Sequence, residues 1–180
     1  MSEQGYPIHY VCTHKKAKEL AFKEKRFWVS NCGCRERNGK CERSRIDVCL
    51  MFYDMNPSGS GKREIALTEL AAIFEEAESK KLVTRPFRND KDKNLTEGIC
   101  FCCVDCCGYF TNPAEICDKG ELVELTEMDK CNFCGDCAAV CHFGARKMAD
   151  DELRLANDSC YGCGLCAEVC PENCVEMVAR

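Results

Sequence analysis

One cysteine spacing occurs twice in the C-terminal part of the chain, and it constrains the fold more than any other feature. Cys131, Cys134, Cys137 and Cys141 follow the order C-x2-C-x2-C-x3-C; Cys160, Cys163, Cys166 and Cys170 repeat it and end in Pro171. Three thiols at intervals of three place their sulfurs on a tight loop around one metal centre, with the fourth held back at a helix start. Cysteine makes up 20 of 180 residues, a density that means either a disulfide scaffold or metal thiolates.

The compartment decides between the two. The stretch Met1–Pro7 has no basic segment leading into an apolar run, so no signal peptide is expected. No run of about 18 apolar residues could cross a bilayer. A cytoplasmic protein is expected, where thiols stay reduced and clustered cysteines serve as metal ligands. The length suits two small domains, a cysteine-rich metal-binding domain at 1–112 and a domain at 113–180 that carries the repeat.

In these residues the C-terminal region resembles the bacterial-type two-cluster ferredoxins, over about residues 119–180. The resemblance implies two [4Fe-4S] clusters that transfer electrons, with crossed ligation. One cluster would use Cys131, Cys134, Cys137 and Cys170, and the other Cys160, Cys163, Cys166 and Cys141. It also implies a pseudo-symmetric fold of short strands and helices. Leu122–Leu125 reads as an opening strand, Ala145–Met148 and Leu153–Leu155 as a hairpin, and Val175–Val178 as a closing strand, with short helices near 135–141 and 164–170. Gly135, Gly162 and Gly164 let main-chain amides approach a cluster. Two residues depart from the family's pattern. His142 follows Cys141 where a proline is usual and reads as an ordinary structural residue, and Cys174 reads as a packed thiol rather than a ligand.

The first 110 residues hold two further cysteine groups. Cys32, Cys34, Cys41 and Cys49 are interleaved with Arg35, Arg37, Arg43 and Arg45, whose charge favours thiolates. Cys100, Cys102, Cys103, Cys106 and Cys107 put five thiols in eight residues, which serve at least two directions. Helical periodicity is expected from about His14 to Trp28 and from about Ala66 to Leu82, making this domain small and mainly helical. The second helix reads as a spacer that brings the two cysteine groups together. Asn56–Arg63 has the glycines of a flexible loop but not the spacing of a phosphate loop.

The series Cys32, Cys34, Arg35, Cys41, Cys49, Leu50, Leu82, Val83 and Ile99 to Cys107 is similar to a cysteine-rich region that precedes ferredoxin modules in anaerobic microbial iron-sulfur proteins. Many members have a cysteine where this chain has Asp105. Nine thiols are enough for one further iron-sulfur cluster or two, or for a zinc ion, and no spacing here matches a zinc finger.

The fold class expected is therefore α+β. Charge is unevenly divided: residues 111–180 carry 6 Lys and Arg against 14 Asp and Glu, a net of −8, and residues 1–110 carry 19 against 16, a net of +3. An acidic ferredoxin-like half argues against nucleic acid and suits a redox protein partner or a larger oxidoreductase complex. An electron carrier or redox subunit is the leading expectation. The alternatives are an iron-sulfur enzyme with an open cluster site in the N-terminal domain, and a zinc-bound docking or sensing module.

Overall fold

A computed structural model describes residues 7–39, 41–112 and 114–180. The expectations for residues 1–6, and Pro113 at the proposed domain boundary, lie outside the described residues. The chain is α+β, and its largest element is a five-stranded sheet in the N-terminal part.

The first helix, α1, spans His14–Ala21, and Thr13 caps it by accepting the Lys16 N–H at 3.1 Å. The helix stops well short of Trp28. Phe27–Ser30 is instead strand β1, buried at every position and flanked by strands on both sides. Aromatic and β-branched residues gain more from packing on a pleated surface than from continuing a helix. Helix α2 covers Gly33–Arg37, and strands β2 and β3 cover Cys49–Met51 and Arg63–Ile65. Helix α3, Leu67–Ser79, follows its expected bounds closely, and Leu70, Ile73, Phe74 and Ala77 form its buried stripe. Strand β4, Val83–Arg88, pairs antiparallel with β5, Thr96–Cys102. The strand order is β3-β1-β2-β5-β4.

The expected mainly helical N-terminal domain is thus corrected to a sheet packed against helices. Alternation along the strands gives the physical reason. Val29, Leu50, Ile99 and Phe101 point to the side where α3 packs, and Phe74 meets Phe101 edge-on at 5.3 Å. Ser30 pairs with Cys49, and Arg85 pairs with Cys100, so these residues and Cys102 face the other side. The β2–β5 pairing, with Leu50 opposite Ile99, is what joins the two cysteine groups. Helix α3 covers the apolar face and is not the spacer expected.

After the short helix α4, Gly108–Thr111, the C-terminal part consists of short strands and short helices. Strand β6 (Leu122–Thr126) pairs with β9 (Val175–Ala179), and β7 (Arg146–Ala149) pairs with β8 (Glu152–Leu155) as a hairpin. Helices α5, Asp136–Ala139, and α6, Leu165–Val169, each start at a glycine in left-handed backbone, Gly135 at φ 84° and Gly164 at φ 79°. A side chain is strained in that conformation, so the glycines set the turn from each cysteine loop into its helix. Each loop is entered through a 3-10 turn, at Met128–Lys130 and Asn157–Ser159.

The two halves share a packed core. Val11, Val83, Cys102 and Cys107 from the N-terminal part cluster with Leu165, while Tyr109, Phe143 and Tyr161 close over them. Buried His14 crosses the same junction. Its Nδ1 lies 2.9 and 3.0 Å from the two Glu168 carboxylate oxygens, and its Nε2 donates to the Leu82 carbonyl at 2.7 Å. His14→Ala is expected to lower the unfolding free energy by about 1–2 kcal/mol, because the Leu82 carbonyl loses a buried hydrogen bond and Glu168 a part-buried one. The denaturant midpoint measures this, and an unchanged midpoint would contradict the junction described. No described helix is long and apolar enough to cross a membrane.

Candidate metal centres

Two thiol-lined cavities occupy the ferredoxin-like part. One is lined by Cys131, Cys134, Cys137 and Cys170 together with Cys174. The other is lined by Cys141, Cys160, Cys163 and Cys166. Each cavity gathers three consecutive cysteines of one repeat and the fourth of the other, because α5 and α6 pass their last cysteines across the middle of the unit. Cys174 is buried, with its Sγ 3.4 Å from that of Cys170. It packs in the core with Cys137, Leu153, Cys166 and Val175, as expected of a packed thiol, and it also borders the cavity.

Arg146 separates the two cavities and lines both. It is buried, hydrogen-bonded to the equally buried Glu124 carboxylate and, through Nη2, to Thr126 Oγ1 at 3.0 Å. Burial pushes the Cys163 and Cys166 thiols up to about 12. Such thiols ionise only when a cation compensates the charge, so loading a metal here releases protons.

The nine candidate cysteines from Cys32 to Cys107 divide into two sets by their sulfur contacts. Cys32, Cys34, Cys107, Cys102, Cys100 and Cys49 form a chain of neighbouring thiols around a cavity of about 180 Å³, which Cys103 and Cys106 also border. Cys41, Cys103 and Cys106 form a compact group, their three sulfurs all within 4.8 Å of one another. Strand alternation explains the first set, since Cys49, Cys100 and Cys102 share one sheet face. Cys32 and Cys34 enter at the start of α2, and Cys107 at the start of α4.

Three side chains around the N-terminal cavity are more closely engaged than their sequence positions suggest. Arg85, only 1% exposed, donates Nη1 to Cys107 Sγ at 2.9 Å and stacks its guanidinium 4.7 Å above the Tyr109 ring. Burial works against its charge, but the Cys102, Cys117 and Cys107 thiols more than offset this and hold its pKa above the usual value. His9 places Nε2 3.7 Å from Cys100 Sγ, and burial, then Arg85, push its pKa down to about 4. It is therefore neutral at pH 7 and has a lone pair to offer. Arg35, 1% exposed, donates Nη2 to the Phe101 carbonyl at 3.0 Å. Of the other arginines expected around these thiols, Arg37 lines the cavity, Arg43 pairs with Asp105 at 2.9 Å, and Arg45 turns away to Asp47. Of Asn56–Arg63, all but Arg63, the first residue of β3, form a loop, as the spacing suggested. His142 is half-buried, with Nε2 3.3 Å from the Lys81 carbonyl, a structural contact across the junction.

Only two buried side-chain nitrogens or oxygens among the described residues lack a hydrogen-bond partner, the Nε atoms of Arg85 and Arg146. Both arginines line thiol cavities. A buried donor without an acceptor costs about 1–3 kcal/mol, and the sulfide or thiolate of a bound cluster is an acceptor of the right kind. All three cavities thus suit a thiolate-bound group, the N-terminal one further aided by the Arg85 charge. No curated protein matches this chain. Residues 130–174 match the family model described as a 4Fe-4S dicluster domain, so this stretch, a quarter of the chain, is an iron-sulfur, ferredoxin-like region of the kind that carries electrons.

Proposed function

We propose that the protein is an electron-transfer protein or a subunit of a redox complex, in which two C-terminal [4Fe-4S] clusters exchange electrons with a further centre in the six-thiol cavity. The observation that carries this reading is the shared core at the junction. Cys163 of one ferredoxin-like cavity packs against the same cluster that contains Cys102 and Cys107 of the six-thiol cavity. Tyr109 lies over Arg85 and meets Tyr161 at 5.8 Å, and Tyr161 stacks on Phe143 at 4.4 Å. Tyr161 and Phe143 in turn line the cavity of Cys141, Cys160, Cys163 and Cys166.

When bound, the clusters supply one-electron chemistry. The chain's own residues exclude water, hold the thiolates and fix the charge around them. Arg146 does so between the two C-terminal cavities and Arg85 at the N-terminal one. The acidic surface of residues 111–180 would orient a basic redox partner toward the C-terminal pair.

The test is iron and acid-labile sulfide analysis of anaerobically purified full-length chain. The expected content exceeds about eight irons per chain, eight for the two C-terminal clusters and the remainder for the N-terminal centre. Fewer than about eight irons would refute two C-terminal clusters, and about eight alone would refute a cluster in the six-thiol cavity.

A further inference from the structure

We propose that Cys41, Cys103 and Cys106 form a separate mononuclear site for a thiophilic divalent metal of the zinc type, with a fourth position open to an outside ligand. Thiolates that bind one tetrahedral ion at about 2.3 Å stand about 3.8 Å apart. Cys41 Sγ and Cys103 Sγ are 3.6 Å apart, and Cys106 Sγ lies within 4.8 Å of both. Among the described residues this is the one group of three ligand atoms so close together. Neither four-cysteine set of the ferredoxin-like region is so compact; those thiols surround a cavity, as ligands to different irons of a cluster must.

The chain builds the compact group from two loops. Cys103 and Cys106 are the ends of a C-x2-C turn after β5, closed by the Cys107 N–H donating to the Cys103 carbonyl at 3.2 Å. Cys41 comes from the loop after α2, and its sulfur accepts the Arg43 and Ser44 amides. Asn38, at the end of α2, donates Nδ2 to the Cys106 carbonyl at 3.3 Å and so ties one loop to the other. Three thiolates and a divalent ion leave one net negative charge. The buried Arg35 guanidinium, hydrogen-bonded to Cys103, is placed to offset it.

Among the described residues no fourth ligand atom joins the compact group. Asp105 lies between two of the ligands in sequence, but its carboxylate is taken by Arg43 at 2.9 Å, with a second contact at 3.4 Å, and it falls outside the compact group. Cys41 is the partly exposed member, whereas Cys103 and Cys106 are buried. A three-ligand site of this kind takes water or an incoming soft ligand such as a thiolate.

The site is independent of the electron-relay reading, and the test separates them. Full-length chain, purified anaerobically from zinc-supplemented cells, is assayed for zinc, iron and sulfide, with Cys41→Ser beside it. The expected result is about one zinc per chain in the parent, lost at least fivefold in the variant with iron and sulfide unchanged. Absence of zinc from the parent, or iron and sulfide lost with the Cys41 thiol, would overturn the proposal. Cys41 lies on a partly exposed loop, yet a measurement free of any substitution guards against misfolding. Parent chain loaded with Co2+ should show a thiolate-to-cobalt absorption that shifts on adding 2-mercaptoethanol. A spectrum that the added thiol leaves unchanged would overturn the open fourth position.

Discussion

Replacing Cys141 with alanine is expected to remove about four irons and four sulfides per chain, while the corresponding replacement of Cys170 removes far fewer. The asymmetry follows from Cys174. Cys141 has three companions around its cavity, Cys160, Cys163 and Cys166, and no spare thiol. Cys170 has a neighbour, with Cys174 Sγ only 3.4 Å from its own sulfur and lining the same cavity. A short side-chain adjustment would let Cys174 take the vacated position, so only the double replacement of Cys170 and Cys174 should match the loss caused by Cys141→Ala. The same series tests crossed ligation. If Cys141 serves with Cys160, the double variant Cys141→Ala/Cys160→Ala loses no more iron than either single one. Pairing Cys141→Ala with Cys131→Ala, by contrast, removes about eight irons. The reverse pattern would show that each repeat binds its own cluster. Because the metal centres replace much of a core in so short a fold, Cys141→Ala should also lose several kcal/mol of stability, seen as a large fall in the thermal midpoint.

The ferredoxin-like part was legible because its spacing is both structural and chemical information. The same residues that name the ligands fix the loops, and the strands at Leu122, Arg146, Glu152 and Val175 fall where short apolar stretches between the loops left room for them. Helix α3 was legible for a different reason, a strong 3.6-residue stripe in Leu70, Ile73, Phe74 and Ala77. The N-terminal sheet was not, although its sign was present. In Ile99-Cys100-Phe101-Cys102 apolar residues and cysteines alternate with a period of two, which is a strand whose one face is apolar and whose other face carries thiols. Reading cysteine only as a ligand hides that alternation. The same habit hides the C-x2-C of Cys103 and Cys106 inside a dense run, so nine thiols look like one pool. Arg85 and His9 were illegible in principle. Each lies far in sequence from the thiols it touches, and only the β4–β5 pairing and the antiparallel bridge from His9 to Phe87 bring them there.

Arg85 should also control the electron affinity of the N-terminal centre, and Arg85→Met is expected to lower its reduction potential by roughly 50–150 mV. Reduction adds a negative charge, and a nearby cation stabilises the reduced form more than the oxidised one. A unit charge about 6 Å away at an effective dielectric constant near 20 contributes about 3 kcal/mol. With about 59 mV per tenfold change for one electron, that corresponds to a shift on the order of 100 mV. The sign is therefore downward when the guanidinium is removed. The fold should tolerate the change, since methionine fills similar volume and Glu115, the carboxylate 3.4 Å from Nη2, has a side chain 35% exposed and stays hydrated alone. Arg85→Lys separates charge from geometry. Lysine keeps the charge but has neither the Nε–H nor the fork that holds Cys107 and Glu115 together, so its potential should lie between those of the parent and Arg85→Met. Potentiometric titration followed by electron paramagnetic resonance reads each centre in the same sample. Arg146, rather than Arg85, stands beside the Cys137 and Cys166 thiols, so the C-terminal signals should move much less. A shift in those signals with the N-terminal one unmoved would place the redox group of the cysteine-rich half somewhere other than beside Arg85.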